Sequence, residues 1–208
     1  MLGVFGDAMV TDLVKEVCII SYEYISQTPR LYSKTFARQY PETNDVSVWD
    51  AAGATSAAPI YFNPKMRTTP SGVEEYLIDG GVIENNPSMF AVTMVQNVME
   101  ITQPIRLFSL GTGTAETKDI VAEDFSGLDW WIQTSTLMTS ITQNNASFQS
   151  AYHSQNYLRL QTISTVDLAA ADEVDLLKTQ GESIIEAQGA EIEQLCRILV
   201  EEKKSSLK

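Results

Sequence analysis

One carboxylate in this chain stands where chemistry is expected. Tyr76-Leu77-Ile78 forms a short apolar run that delivers Asp79 to the pair Gly80-Gly81, and Val82-Ile83-Glu84-Asn85-Asn86-Pro87 follows. A carboxylate at the end of a buried strand is costly to desolvate unless something uses it. Two uses are open: capping the turn before Gly80, the common role of an Asp-Gly pair, or accepting a proton from a nucleophile. Other residues offer less. His153 is the one histidine and reads as a polar helix-end residue. Cys18 and Cys196 are too far apart to make a metal-ligand pattern and read as buried free thiols. No Cys/His cluster has zinc spacing, so neither a metal nor another cofactor is expected. Gly111-Thr112-Gly113-Thr114 resembles a phosphate loop only superficially. No Lys-Ser/Thr follows it, and a tight strand-to-loop turn explains it better.

The elements that must hold Asp79 are legible from pattern. Residues 17–24 have strand composition, and Leu31-Tyr32 begins a second strand after a turn at Thr28-Pro29. Ser47-Val48-Trp49-Asp50 has capping-box spacing and opens a helix through the small-residue run Ala51 to Ala58, which Pro59 ends. That Ala/Gly/Ser-rich helix suits close packing on a neighbouring backbone. Residues 76–79 read as a buried strand. Asn86 as N-cap and Pro87 as first helical residue start a helix that runs to about Ile101. Ile105 to Leu110 is a strand, followed by a polar, acidic segment to about Gly127. Leu128 to about His153 is helical, and Trp130 and Trp131 on it suit core packing or an acyl groove. Tyr157 to Gln161 is the last strand. From Ala170 two helices are expected, broken near Gly181. The second carries Ile184, Ile185, Ile192, Leu195 and Leu199 on one face. Alternating strands and helices point to an α/β layered domain with a largely parallel sheet, whose ligand sites lie beyond the carboxyl ends of strands.

Several motifs occur in a telling order. Ala54-Thr55-Ser56-Ala57-Ala58-Pro59-Ile60-Tyr61-Phe62 precedes Ile78-Asp79-Gly80-Gly81 with Asn85-Asn86-Pro87, and Ser109-Leu110-Gly111-Thr112-Gly113 follows. Phe5-Gly6-Asp7 and Tyr157-Leu158-Arg159-Leu160-Gln161 flank them. The ordered set resembles the patatin-like phospholipases. That resemblance implies a three-layer α/β fold and hydrolysis of lipid esters by a Ser–Asp dyad. It makes Asp79 the base and Gly80 and Gly81 the rest of its motif. It also implies a Gly-x-Ser-x-Gly serine elbow and a glycine-rich oxyanion loop, and the 208 residues contain neither. The nearest match, Gly53-Ala54-Thr55-Ser56-Ala57, has the wrong spacing. The chain therefore resembles the C-terminal portion of the domain, without its opening strands. Residues 1–165 are expected to form that portion, with 166–208 as helices packed on or extending it. Alone, it is expected to show no acyl-enzyme chemistry. A non-catalytic patatin-like binding or regulatory domain is the alternative, with an unrelated α/β interaction domain behind it.

Size and charge bound the rest. With 44% apolar and 20% charged residues the chain has a globular balance. Fourteen basic against 27 acidic side chains leave a net charge of −13, which disfavours nucleic acid and anionic headgroups as partners. No apolar run is long enough to span a bilayer and no signal core opens the chain, so a soluble, cytoplasmic protein is expected. Loss of the opening strands would leave a sheet edge uncovered, and self-association through it is expected.

Overall fold

A computed structural model describes residues 2–69, 71–114, 127–164, 166, 170 and 172–206. The expected acidic segment within 115–126 and the Trp130 and Trp131 side chains lie outside the described residues. The chain divides into two compact units, Met1–Ile105 with Leu137–His153 and Arg106–Thr136 with Ser154–Lys208.

The first unit is built on β1 (Ile19–Glu23), β2 (Thr28–Tyr32), β3 (Lys65–Thr68) and β4 (Glu74–Asp79), in the order β2-β1-β4-β3. Every pairing in it is antiparallel. This corrects the largely parallel sheet expected from the alternation of elements. The reason is connection length: β1 to β2 and β3 to β4 are joined by loops of a few residues, and parallel neighbours need a crossover of a dozen or more. The turn between β1 and β2 also lies earlier than expected, ahead of Thr28, with Gln27 in the left-handed region at φ 53°. Pro29 is consequently inside β2, opposite Tyr22, which an edge strand tolerates.

Short helices α2 (Lys34–Gln39), α3 (Pro41–Asn44) and α4 (Val48–Thr55) pack against this sheet, and α1 (Leu2–Phe5) packs against α4. Ser47 caps α4 as its spacing predicts, its Oγ accepting from the Asp50 N–H at 3.0 Å. Ala51 and Ala54 are fully buried, so the helix lies close to the sheet, as the small-residue run implied. Val10, Tyr32, Ala37, Val46, Ala51, Ala54 and Leu77 form the core. Two carboxylates are buried beside it. Glu75 pairs with Arg30 at 2.9 Å and with Arg67 at 2.6 Å. Glu23 accepts the N–H groups of Ile25 and Tyr76, each at 3.1 Å, and that of Ser26.

Helix α5 (Ser88–Thr93) stops short of the expected Ile101 and widens into a π-helical turn over Met94–Val98. The β-branched Val92, Thr93 and Val95 crowd that turn and weaken a regular helix. Helix α6 (Gly127–His153) forms where expected, and its residues from Leu137 onward belong to the first unit.

In the second unit β5 (Arg106–Leu110) and β6 (Asn156–Leu160) pair in parallel. These two strands are separated by α6, the long crossover that parallel pairing requires. A bridge between Thr114 and Ile163 continues the ladder. Helix α7 (Val174–Ser206) replaces the two helices expected after Ala170, and its kink is at Gln188 rather than Gly181. A single glycine costs a helix about 1 kcal/mol against alanine, which long runs of Leu, Gln, Glu and Lys readily offset. Ile184, Ile192 and Leu195 are half-buried, but Ile185 and Leu199 are exposed, so the expected apolar face is split.

The cysteines also differ from expectation. Both are free, but Cys196 is exposed on α7 and only Cys18 is partly buried. Burial, then the neighbouring Glu16 carboxylate, pushes the Cys18 thiol up to about 11.

Candidate functional site

Strand β4 ends on Asp79, opposite Ser21 of β1. The pairing stops there because the chain turns at once into a 3-10 turn over Gly80–Val82. Asp79 is half-buried. Its Oδ1 accepts the Gly81 N–H at 2.6 Å, and its own N–H donates to the Ala57 carbonyl at 3.1 Å. Among the described residues its second oxygen, Oδ2, has no hydrogen-bond partner. One oxygen thus orients the carboxylate, and the other accepts from none of the described residues.

The glycine pair is required by close approach. A Cβ on Gly80 would come within 2.3 Å of the Ile20 carbonyl oxygen. That same oxygen accepts the Thr55 hydroxyl at 2.6 Å. A Cβ on Gly81 would come within 2.4 Å of the Asn85 side-chain oxygen and 3.0 Å of Asp79 Oδ1. Both glycines therefore let backbone sit where a side chain would stand, with β1 on one side and the Asn85 loop on the other. Asp79 therefore caps the turn, and that bond fixes the orientation of its carboxylate.

Asn86 does more than start a helix. Fully buried, it accepts from the Ser88 N–H at 3.3 Å and from the Ser88 hydroxyl at 2.5 Å. Its Nδ2 donates to the Ser147 hydroxyl at 2.9 Å and the Gln143 carbonyl at 3.3 Å on α6. Pro87 precedes the first helical residue instead of being it, because Asn86 is held by α6 and the cap falls one position later. Gln143 and Ser147, which sequence did not single out, meet Asn86 from α6, and Thr55, named only as part of the α4 motif, meets Ile20 of β1. Only the small-residue character of the α4 motif hinted at Thr55.

Other candidates stand apart. Ser21, opposite Asp79 in register, is fully buried and donates its hydroxyl to the Tyr32 phenol at 3.4 Å. His153 is exposed at the end of α6, edge-on to the Tyr152 ring. In the second unit the Gly113 N–H donates to the Gln161 side-chain oxygen at 3.0 Å, so the Gly111–Thr114 loop is closed by β6's own extension. No group of three or more His, Cys, Asp or Glu side chains among the described residues could hold a metal ion. No helix among the described residues is long and apolar enough to cross a membrane.

Comparison with known proteins shows what this sequence is similar to. Residues 8–92 match the model of the patatin-like phospholipase family, a stretch that includes the α4 motif, Asp79 and Asn86. The chain is 25% identical to Patatin-like protein 2 of Arabidopsis thaliana, over 90% of this chain and 55% of the relative. It is 25% identical to Patatin-2-Kuras 4 and to Patatin group M-1 of Solanum tuberosum, over 86% of this chain and 57% and 55% of those relatives. The chain thus spans about half the length of the curated relatives it matches. The mixed α/β architecture is consistent with the match, which over residues 8–92 is to the patatin-like phospholipase family, and the chain is similar to the plant patatins along most of its length.

Proposed function

We propose that this chain contributes the aspartate half of a serine–aspartate site that hydrolyses lipid acyl esters. In this reading the serine and the oxyanion donors come from sequence outside these 208 residues. The observation that carries it is Asp79 itself: half-buried at a strand end, with Oδ1 tied to the Gly81 N–H at 2.6 Å and Oδ2 uncommitted. A serine placed within hydrogen-bond reach of Oδ2, about 2.6–3.2 Å, passes its proton there as its Oγ attacks the acyl carbonyl. The tetrahedral oxyanion collapses, the alcohol leaves with the proton from Asp79, and an acyl-enzyme remains. Water then attacks the acyl-enzyme as Asp79 takes its proton, and Asp79 returns that proton to the serine Oγ as the acid departs, so serine and carboxylate are both regenerated. No histidine is needed, in keeping with His153 lying exposed at a helix end.

The test joins this chain to the upstream sequence of a patatin that bears Gly-x-Ser-x-Gly, as a fusion or by co-expression. The expected result is hydrolysis of a phospholipid or a long-chain ester, reduced on the order of 10²–10⁴-fold by Asp79→Asn. The chain by itself is expected to give none. Activity in the assembled protein that is indifferent to Asp79→Asn would rule this reading out. The reading as a binding or regulatory domain gains if the assembled protein binds lipid but turns nothing over. Turnover by the isolated chain, abolished by Asp79→Ala, would point instead to a nucleophile within it.

A further inference from the structure

Strand β4 runs out of partners as it reaches Asp79, and helix α4 supplies the replacements. On one side β3 begins at Lys65, opposite Leu77, so among the described residues no strand stands beside Asp79 there. On the other side β1 pairs Tyr22 with Ile78 and Ser21 with Asp79. One residue further, that register would set Gly80 against Ile20, but the chain has already entered its 3-10 turn. The N–H groups of the turn go elsewhere: that of Gly81 to Asp79 Oδ1, and those of Ile83 and Glu84 to the Gly80 carbonyl. The Ile20 carbonyl and the Asp79 N–H thus lose the ladder. Ile20 is 5% exposed, and a backbone group left unmet in such surroundings is costly.

The end of α4 meets both. Thr55, its last residue, donates its hydroxyl to the Ile20 carbonyl at 2.6 Å. Two residues later the Ala57 carbonyl accepts the Asp79 N–H at 3.1 Å. The bonds act in series. The first holds the end of α4 to β1, the second hangs the Asp79 backbone from that end, and the Gly81 N–H then turns the carboxylate. Gly80 presses on the same Ile20 carbonyl, which a Cβ there would meet at 2.3 Å. The oxygen that Thr55 holds is therefore the one on which the Asp79 turn rests. Ser56, by contrast, returns its hydroxyl to the Ala52 carbonyl at 2.8 Å, a bond that ties α4 to itself.

We infer that Thr55 is a positioning residue for Asp79: its hydroxyl replaces the ladder bond that β4 gives up and fixes where the carboxylate is held. The inference takes from the proposed function only that Asp79 serves as the base, and its first test needs no serine. Amide hydrogen exchange is followed in the full chain. Thr55→Val keeps the shape and the β-branching and removes the donor. It is expected to speed exchange of the Asp79 and Gly81 N–H groups on the order of tenfold, the effect of about one net hydrogen bond. The Val10 N–H, bonded to the Val46 carbonyl at 2.9 Å elsewhere in the first unit, is expected to keep its rate. Thr55→Ser is expected to retain wild-type exchange, and Ser56→Ala to change nothing at Asp79. Thr55→Ala and Thr55→Ser both lack the methyl group and differ in the hydroxyl, so that pair carries the comparison if the valine variant does not fold.

The second test uses the protein assembled with upstream patatin sequence. There Thr55→Val is expected to lower kcat on the order of tenfold with KM unchanged, and Thr55→Ser to restore it, since displacement of a reacting group is felt in the chemical step. Unchanged exchange at Asp79, exchange that rises equally at Val10, a Thr55→Ser variant as impaired as Thr55→Ala, or a loss of activity carried by KM would each overturn the inference. If the assembled protein proves indifferent to Asp79→Asn, the proposed function fails, and the exchange rates still decide whether Thr55 holds Asp79.

Discussion

Two carboxylates 56 residues apart illustrate how differently one fold can treat an acid. Among the described residues, Asp79 spends one oxygen on the Gly81 N–H and keeps the other uncommitted. Glu23 spends both: burial pushes its carboxyl up, but hydrogen bonds from Ser26, Tyr76 and Ile25 outweigh burial and hold it at about 2. A group depressed below its ordinary value of 4.5 contributes stability that is complete above that value and disappears as pH falls toward 2. Glu23→Gln is therefore expected to cost about 1–3 kcal/mol at neutral pH, because an amide nitrogen would face backbone donors. It is also expected to flatten the fall in stability between pH 4.5 and 2 relative to wild type. Urea titrations across that range check both; parallel pH profiles for the two proteins would refute the assignment.

At the scale of elements, the junction of β1, α4 and the turn after β4 depends on backbones touching backbones. Gly80→Ala places a Cβ within 2.3 Å of the Ile20 carbonyl, and neither partner can yield without moving a strand. The expected cost is about 1–3 kcal/mol or more, read as a lower urea midpoint. Gly53→Ala is the counterpart on α4, where the new Cβ meets only the flexible Lys65 side chain at 3.6 Å. There the helix gains from alanine, by roughly 0.5–1 kcal/mol. A shared sign for the two substitutions would show that helix propensity, not close approach, governs this junction.

For the whole molecule, the two-stranded sheet of the second unit has a consequence for association. Among the described strands, β5 and β6 pair only with each other, and parallel strands are normally buried on both faces. Phe108 and Leu110 are exposed on β5. An open edge with apolar side chains is a template for another chain. The isolated protein is expected to self-associate, despite a charge of −13 that favours separation. Sedimentation at several concentrations checks this, and a monomer that melts cooperatively would count against it.

Whatever rests on local pattern is legible in the residues alone: the strands around 19–23, 74–79, 106–110 and 156–160, the Ser47 cap and the long helix ending at His153. Alternation, capping residues and glycine pairs act over a few neighbours, so they can be read without the fold. Tertiary structure decided whatever depended on partners distant in the chain. It made the main sheet antiparallel, because short hairpins and the pairing of β1 with β4 overrode the alternation of helix and strand. It shifted the α7 kink to Gln188, split that helix's apolar face, and exposed Cys196. It brought Thr55 to Ile20, and Ser147 and Gln143 to Asn86, contacts for which no spacing rule exists. Asp79 belongs to both accounts. Its motif marks a carboxylate at a strand end, and only the packed backbone shows that the Gly81 N–H holds its Oδ1.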